Sequence, residues 1–166
     1  MALFALGKDM IGSSVVIGSV TFLVALGTIL FRPRDIPWAK HLDRPRWLFF
    51  EPAIPLIWTV IFVCGSISAI LVWEKDPGSL RTWSFMVSYL TVEIVTVAYI
   101  PATLRSRSLI VGTVLGGLGV ILAVLLDLAV LPISGRAALL LLPYIVWTPI
   151  GTYTTRKMID LNPDAA

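Results

Sequence analysis

Five apolar runs, separated by polar breaks, dominate the chain at roughly 11–31, 53–73, 83–103, 108–131 and 137–155. A helix needs about 20 apolar residues to cross the hydrocarbon core of a bilayer. Within lipid each segment must satisfy its own backbone donors and acceptors, which favours helices. The alternating period of a membrane barrel is absent. The pattern therefore predicts an all-α fold, an integral membrane bundle of five transmembrane helices forming a single domain over 1–166. The first run is too long for a cleaved signal sequence, and no small-residue cleavage site follows it. It reads as a retained helix.

Composition agrees with the pattern. Of the 166 residues, 57% are hydrophobic and 14% charged, against about 25% charged in a soluble domain. Mean hydropathy is +0.90. The net charge of +3 is carried by loop residues, so it gives no nucleic-acid footprint, and the expected surroundings are a lipid bilayer. Cys64 is the single cysteine and His41 the single histidine. That excludes an internal disulfide and gives no metal-ligating cluster.

Basic residues set the expected orientation. Arg32, Arg34, Lys40, Arg44, Arg46, Arg105, Arg107, Arg156 and Lys157 fall on one side, and Lys8, Lys75, Arg81 and Arg136 on the other. The positive-inside rule then places the first loop and the C-terminus in the cytoplasm and the N-terminus outside.

Few residues carry candidate chemistry. Glu93 sits near the middle of the third run, where a carboxylate costs about 2.5–3.5 kcal/mol to insert. With no Lys or Arg at a helix centre, it must face the bundle interior, either bonded to Thr91, Thr96, Tyr99 or Tyr144 or touching a ligand. Asp127 is expected in a helix-end contact, with Arg136 as the candidate partner. Glu51 suits the positive end of the second helix dipole. Trp38, Trp73 and Trp83 fall at segment ends and suit the interfacial aromatic belt. Trp58 and Trp147 lie within segments, where core packing and the lining of a ligand pocket are both open. Gly112, Gly116 and Gly119 form a small-residue stripe for close helix approach, serving either internal packing or a homodimer seam.

The stretch RPRWLFFEPAIPLIWT, residues 44–59, is the most distinctive. Pro45 and Trp47, with Trp58-Thr59 eleven residues after Trp47, resemble the first-loop signature of the TspO/MBR family of tryptophan-rich sensory proteins. Phe49-Phe50 stand where that family has paired prolines. The last run resembles the family more closely, through Ala138, Pro143, Tyr144, Trp147 and the closing Leu161-Asn162. The third run keeps only Leu104-Arg105, with Ile94 and Val97 at the family's Asn and Trp positions. The chain resembles a divergent member.

The resemblance implies a five-helix TspO-like bundle with an inter-helix pocket capped by the first loop. It also implies a bound tetrapyrrole, whether porphyrin, haem or chlorophyll-related, or a similar apolar ligand, with a sensory or regulatory role and a homodimeric state. The expected ligand-binding set is Arg46, Trp47, Trp58, Glu93, Tyr144 and Trp147, with Arg44 or Arg46 suited to ligand carboxylates. No nucleophile–base pair is visible, so the chain reads as a receptor rather than an enzyme, although some family members are associated with porphyrin breakdown. The alternative is a non-catalytic structural or assembly subunit of a larger, pigment-bearing membrane complex.

Overall fold

The computed structural model describes residues 2–29 and 35–166, with side chains over 12–28 and 35–166. Arg32 and Arg34 of the basic loop, and the end of the first apolar run, lie outside the described residues. Helix α1 spans Ala2–Ala25 and continues as a 3-10 turn over Leu26–Ile29. A short helix α2, Ile36–His41, follows in the first loop. The long helices are α3 (Ile54–Trp73), α4 (Leu80–Ser106), α5 (Leu109–Val130) and α6 (Gly135–Leu161). All described regular structure is helical. Helices α3 to α6 are each long and apolar enough to cross a membrane.

Local chemistry sets the helix ends. Pro55 occupies the first turn of α3, where its missing N–H costs nothing. Ser79, Ser108 and Ser134 cap α4, α5 and α6 by accepting from the backbone N–H of Thr82, Val111 and Ala137. The turn before α4 uses Gly78 at φ 80°, a conformation glycine adopts without steric cost. Arg107 ends α4 at φ 51°, and one residue later α5 begins to cap. Helices joined this tightly pack as antiparallel neighbours.

Pro101 lies within α4, and Pro143 and Pro149 within α6. Membrane helices tolerate such prolines because neighbouring groups compensate the lost bonds.

Around the bundle the order is α1, α3, α6, α5, α4 and back to α1, with α3 also touching α4. The core holds Ile61, Val72, Tyr89, Val92, Leu126, Val130, Leu141 and Tyr144. Residues facing outward, such as Leu56, Val87, Val114, Leu128 and Val146, are exposed and apolar, as a lipid-facing surface requires.

Helix α5 is pressed against α4 and α6 by its glycines. An ideal Cβ on Gly112 would lie 2.7 Å from Thr103 Oγ1, one on Gly116 would collide with Thr152, and one on Gly119 would lie 2.7 Å from the Tyr144 hydroxyl. All three glycines are buried. Of the two roles open to Gly112, Gly116 and Gly119, close internal packing is the one seen: the three positions face Thr103, Thr152 and Tyr144 of the same chain.

Candidate functional site

A narrow cleft opens between α3, α4, α5 and α6, with a cavity volume of about 40 Å³. Helix periodicity builds its walls. Trp58, Ile61, Phe62 and Gly65 project from α3, and Tyr89, Val92, Glu93 and Thr96 from α4. Both sets follow the i, i+3, i+4, i+7 spacing that gathers side chains on one helix face. Ala123 and Leu126 of α5 and Leu140, Leu141 and Tyr144 of α6 complete the lining. Trp58 meets the Tyr144 ring edge-on with centroids 6.1 Å apart, and a tilted Phe62 lies 6.2 Å from Trp58.

The polar groups are few and mostly engaged. Ser68 Oγ donates to the Ala137 carbonyl at 2.7 Å. The 2.6 Å contact between Ser68 Oγ and the Tyr89 hydroxyl must then be donated by Tyr89, because serine has one hydroxyl proton. The same count holds on the other wall. Thr96 Oγ1 donates to the Val92 carbonyl, so Tyr144 donates to Thr96 across 2.7 Å. The Tyr99 hydroxyl is bonded to Thr155 in the same α4–α6 interface. These tyrosines tie α4 to α3 and α6, and they shape the cleft as they do so.

Glu93 accepts a 2.6 Å hydrogen bond at Oε1 from Thr21 of α1. The expected partners Thr91, Thr96, Tyr99 and Tyr144 are bonded elsewhere, and the actual one lies 72 residues away. The other carboxylate oxygen has no hydrogen-bond partner among the described residues. Asp127 also differs from expectation. It forms no ion pair with Arg136, and its Oδ1 is buried without a partner among the described residues.

The structure thus brings Trp58, Glu93 and Tyr144 to one cleft. Trp47, Trp147 and Arg46 lie outside the lining. Trp147 packs against the core and meets Phe50 edge-on at 6.0 Å. Trp47 stacks on Tyr153 at 6.3 Å and lies 6.3 Å from Phe50. Together these rings form an aromatic cluster that joins the first loop to α6. Arg46 is exposed on that loop. Arg44 pairs with Glu51, Nε to Oε2 at 3.0 Å, so Glu51 neutralises a loop arginine in addition to standing at the start of α3. Asn162 ties the same loop to the C-terminus. It accepts from the Asp43 N–H and donates to the Asp43 and Met158 carbonyls.

Sequence reasoning missed Phe62, Tyr89 and Thr96 as lining residues. The spacing of Tyr89, Glu93 and Thr96 on one helix face was the available signal.

Comparison with known proteins agrees with this architecture. The sequence pattern of the TspO/MBR family matches residues 13–160. The chain is 26% identical over 151 residues to the tryptophan-rich protein TspO of Bacillus cereus, covering 90% of this chain and 97% of that one. It is 25% identical over 158 residues to the membrane protein YtaB of Bacillus subtilis, covering 93% and 99%. The tryptophan-rich protein TspO of Chlorobaculum tepidum is 25% identical over 138 residues, covering 80% and 85%. A match spanning nearly the whole chain, on a multi-pass bundle of apolar helices, establishes that this protein is an integral membrane member of the TspO/MBR family.

Proposed function

We propose that this protein binds a flat, largely apolar ligand, of which a tetrapyrrole is the leading candidate, in the cleft between α3, α4, α5 and α6, and that it acts as a sensor or regulator rather than as an enzyme. The observation that carries this reading is the cleft itself. Aromatic faces and aliphatic side chains surround a small number of polar atoms, the composition typical of small-molecule sites. Its cavity of about 40 Å³ is well below the ~300–1,000 Å³ of occupied ligand pockets, so a ligand must part the walls as it enters. Stacking on Trp58 and burial of ligand surface supply the affinity.

Among the described residues the lining is aromatic and aliphatic with a few engaged hydroxyls and one carboxyl group, a set suited to binding. The loop over 42–53, which carries Trp47 and Phe50 against α6, is the segment suited to move when a macrocycle enters. With Asp43 and Asn162 bonded at one end of the bundle, the first loop and C-terminus share a membrane face. The excess of basic residues there supports a cytoplasmic location.

The test is a titration of the purified protein in mild detergent with protoporphyrin IX, followed by tryptophan fluorescence. Saturable quenching at one ligand per chain, weakened by Trp58→Phe, is expected. Quenching that never saturates, or that Trp58→Phe leaves unchanged, contradicts the reading.

A further inference from the structure

The cleft's hydrogen-bonding inventory is lopsided. The Tyr89 and Tyr144 hydroxyls have spent their protons on Ser68 and Thr96, so each can offer a ligand only lone pairs. Thr96 has likewise spent its proton on the Val92 carbonyl. Glu93 offers the carboxylate oxygen that Thr21 does not occupy. The Trp58 indole N–H is the one side-chain donor on the lining without a partner among the described residues. Among the described residues no Lys, Arg or His lines the cleft. An entering ligand therefore meets a lining of acceptors that includes the half-buried Glu93 carboxyl group.

An ionisable group at such depth is costly unless it is paired, and among the described residues Glu93 is bonded only by the neutral hydroxyl of Thr21. A ligand bearing a protonated nitrogen supplies the missing partner. Its N–H donates to the open Glu93 oxygen, the two opposite charges offset one another's desolvation, and its flat body lies against Trp58 and Phe62. A ligand carboxylate at the same place would meet lone pairs and a like charge, and nothing there compensates it.

We propose that the cleft is selective for planar apolar ligands carrying a cationic or strongly donating nitrogen, with Glu93 as the group that reads it. The proposal rests on the reading of the cleft as a ligand site and narrows it to one chemical class. Arg46, exposed on the loop, does not reverse this preference, because it lies outside the lining.

Three probes that share one ring system decide the matter: 1-pyrenemethylamine, 1-pyrenemethanol and 1-pyreneacetic acid. Each is titrated into the protein in a nonionic detergent, with energy transfer from tryptophan to pyrene as the signal and empty micelles as the blank. The amine is expected to bind about tenfold or more tighter than the alcohol, in keeping with a charge-assisted hydrogen bond, and the acid more weakly than either. In Glu93→Gln the amine-to-alcohol ratio should fall to near one. If wild-type protein binds the alcohol as tightly as the amine, the selectivity proposal is overturned while the cleft remains a ligand site. The wild-type ranking alone decides between these outcomes even if the variant does not fold. If the alcohol also fails to bind saturably, the ligand-site reading falls with it.

Discussion

Replacing Gly119 with alanine puts the packing of α5 against α6 to a quantitative test. The added Cβ would lie 2.7 Å from the Tyr144 hydroxyl oxygen, whereas the next atoms, Thr148 Cγ2 and Tyr144 Cζ, lie at an ordinary 3.8 and 3.9 Å. The clash is thus with a single oxygen. Two responses are open to the protein. Swinging the tyrosine breaks its 2.7 Å bond to Thr96, and such inter-helix bonds in membranes are worth about 0.6–1.7 kcal/mol. Parting the helices instead carries an overpacking cost of about 1–3 kcal/mol.

Tyr144→Phe removes the offending oxygen, and it leaves Thr96 still donating to Val92. The alanine should then be tolerated. The coupling between the two substitutions should be about 1–2 kcal/mol, with the double variant more stable than the two single losses added together. The assay is equilibrium unfolding of all four proteins in mixed micelles with increasing SDS, followed by circular dichroism. Additivity within about 0.5 kcal/mol would refute the account of how the glycine stripe and Tyr144 fit together.

Other outcomes follow from the buried polar links. Ser68 is fully buried and joins Tyr89 to the Ala137 carbonyl, so Ser68→Ala strands the tyrosine hydroxyl and should cost about 1–3 kcal/mol in the same unfolding assay; a loss below about 0.5 kcal/mol would contradict the relay. Asn162→Ala removes three bonds, two of which hold Asp43, and should cost about 1–2 kcal/mol while speeding amide exchange over 42–53. Unchanged exchange there would show that the C-terminus does not restrain the loop.

The long helices are legible in the sequence because hydropathy alone requires them. The second apolar run covers 53–73 and its helix spans Ile54–Trp73; the fourth covers 108–131 and its helix spans Leu109–Val130. Ends that continue into polar sequence are harder to read. Helix α4 begins at Leu80 and α6 runs on to Leu161, because helical hydrogen bonding continues past the lipid boundary, where hydropathy has already fallen. The short α2 is invisible to an apolar pattern for the same reason.

The site divides in a similar way. Trp58 and Tyr144 stand out from motifs, and Glu93 from the cost of burying its charge. The bond from Thr21 to Glu93 spans 72 residues and depends on how α1 docks, which no local spacing encodes. The glycine stripe is visible, but its partners Thr103, Thr152 and Tyr144 lie on other helices, so sequence leaves internal packing and a dimer seam open.

The central claim, that ligand occupies the cleft between α3, α4, α5 and α6, is tested most directly by filling that cleft. Gly65 lines it, and an added Cβ there meets no atom within 4 Å, so a Gly65→Phe side chain starts without a backbone clash and competes with ligand for the same space. Gly117, equally open but outside the lining, gives the matched control Gly117→Phe. The measurement is the affinity for protoporphyrin IX of both variants, each first shown to be helical and monodisperse. The account predicts loss of binding in Gly65→Phe and wild-type affinity in Gly117→Phe; full affinity in a folded Gly65→Phe protein would contradict it.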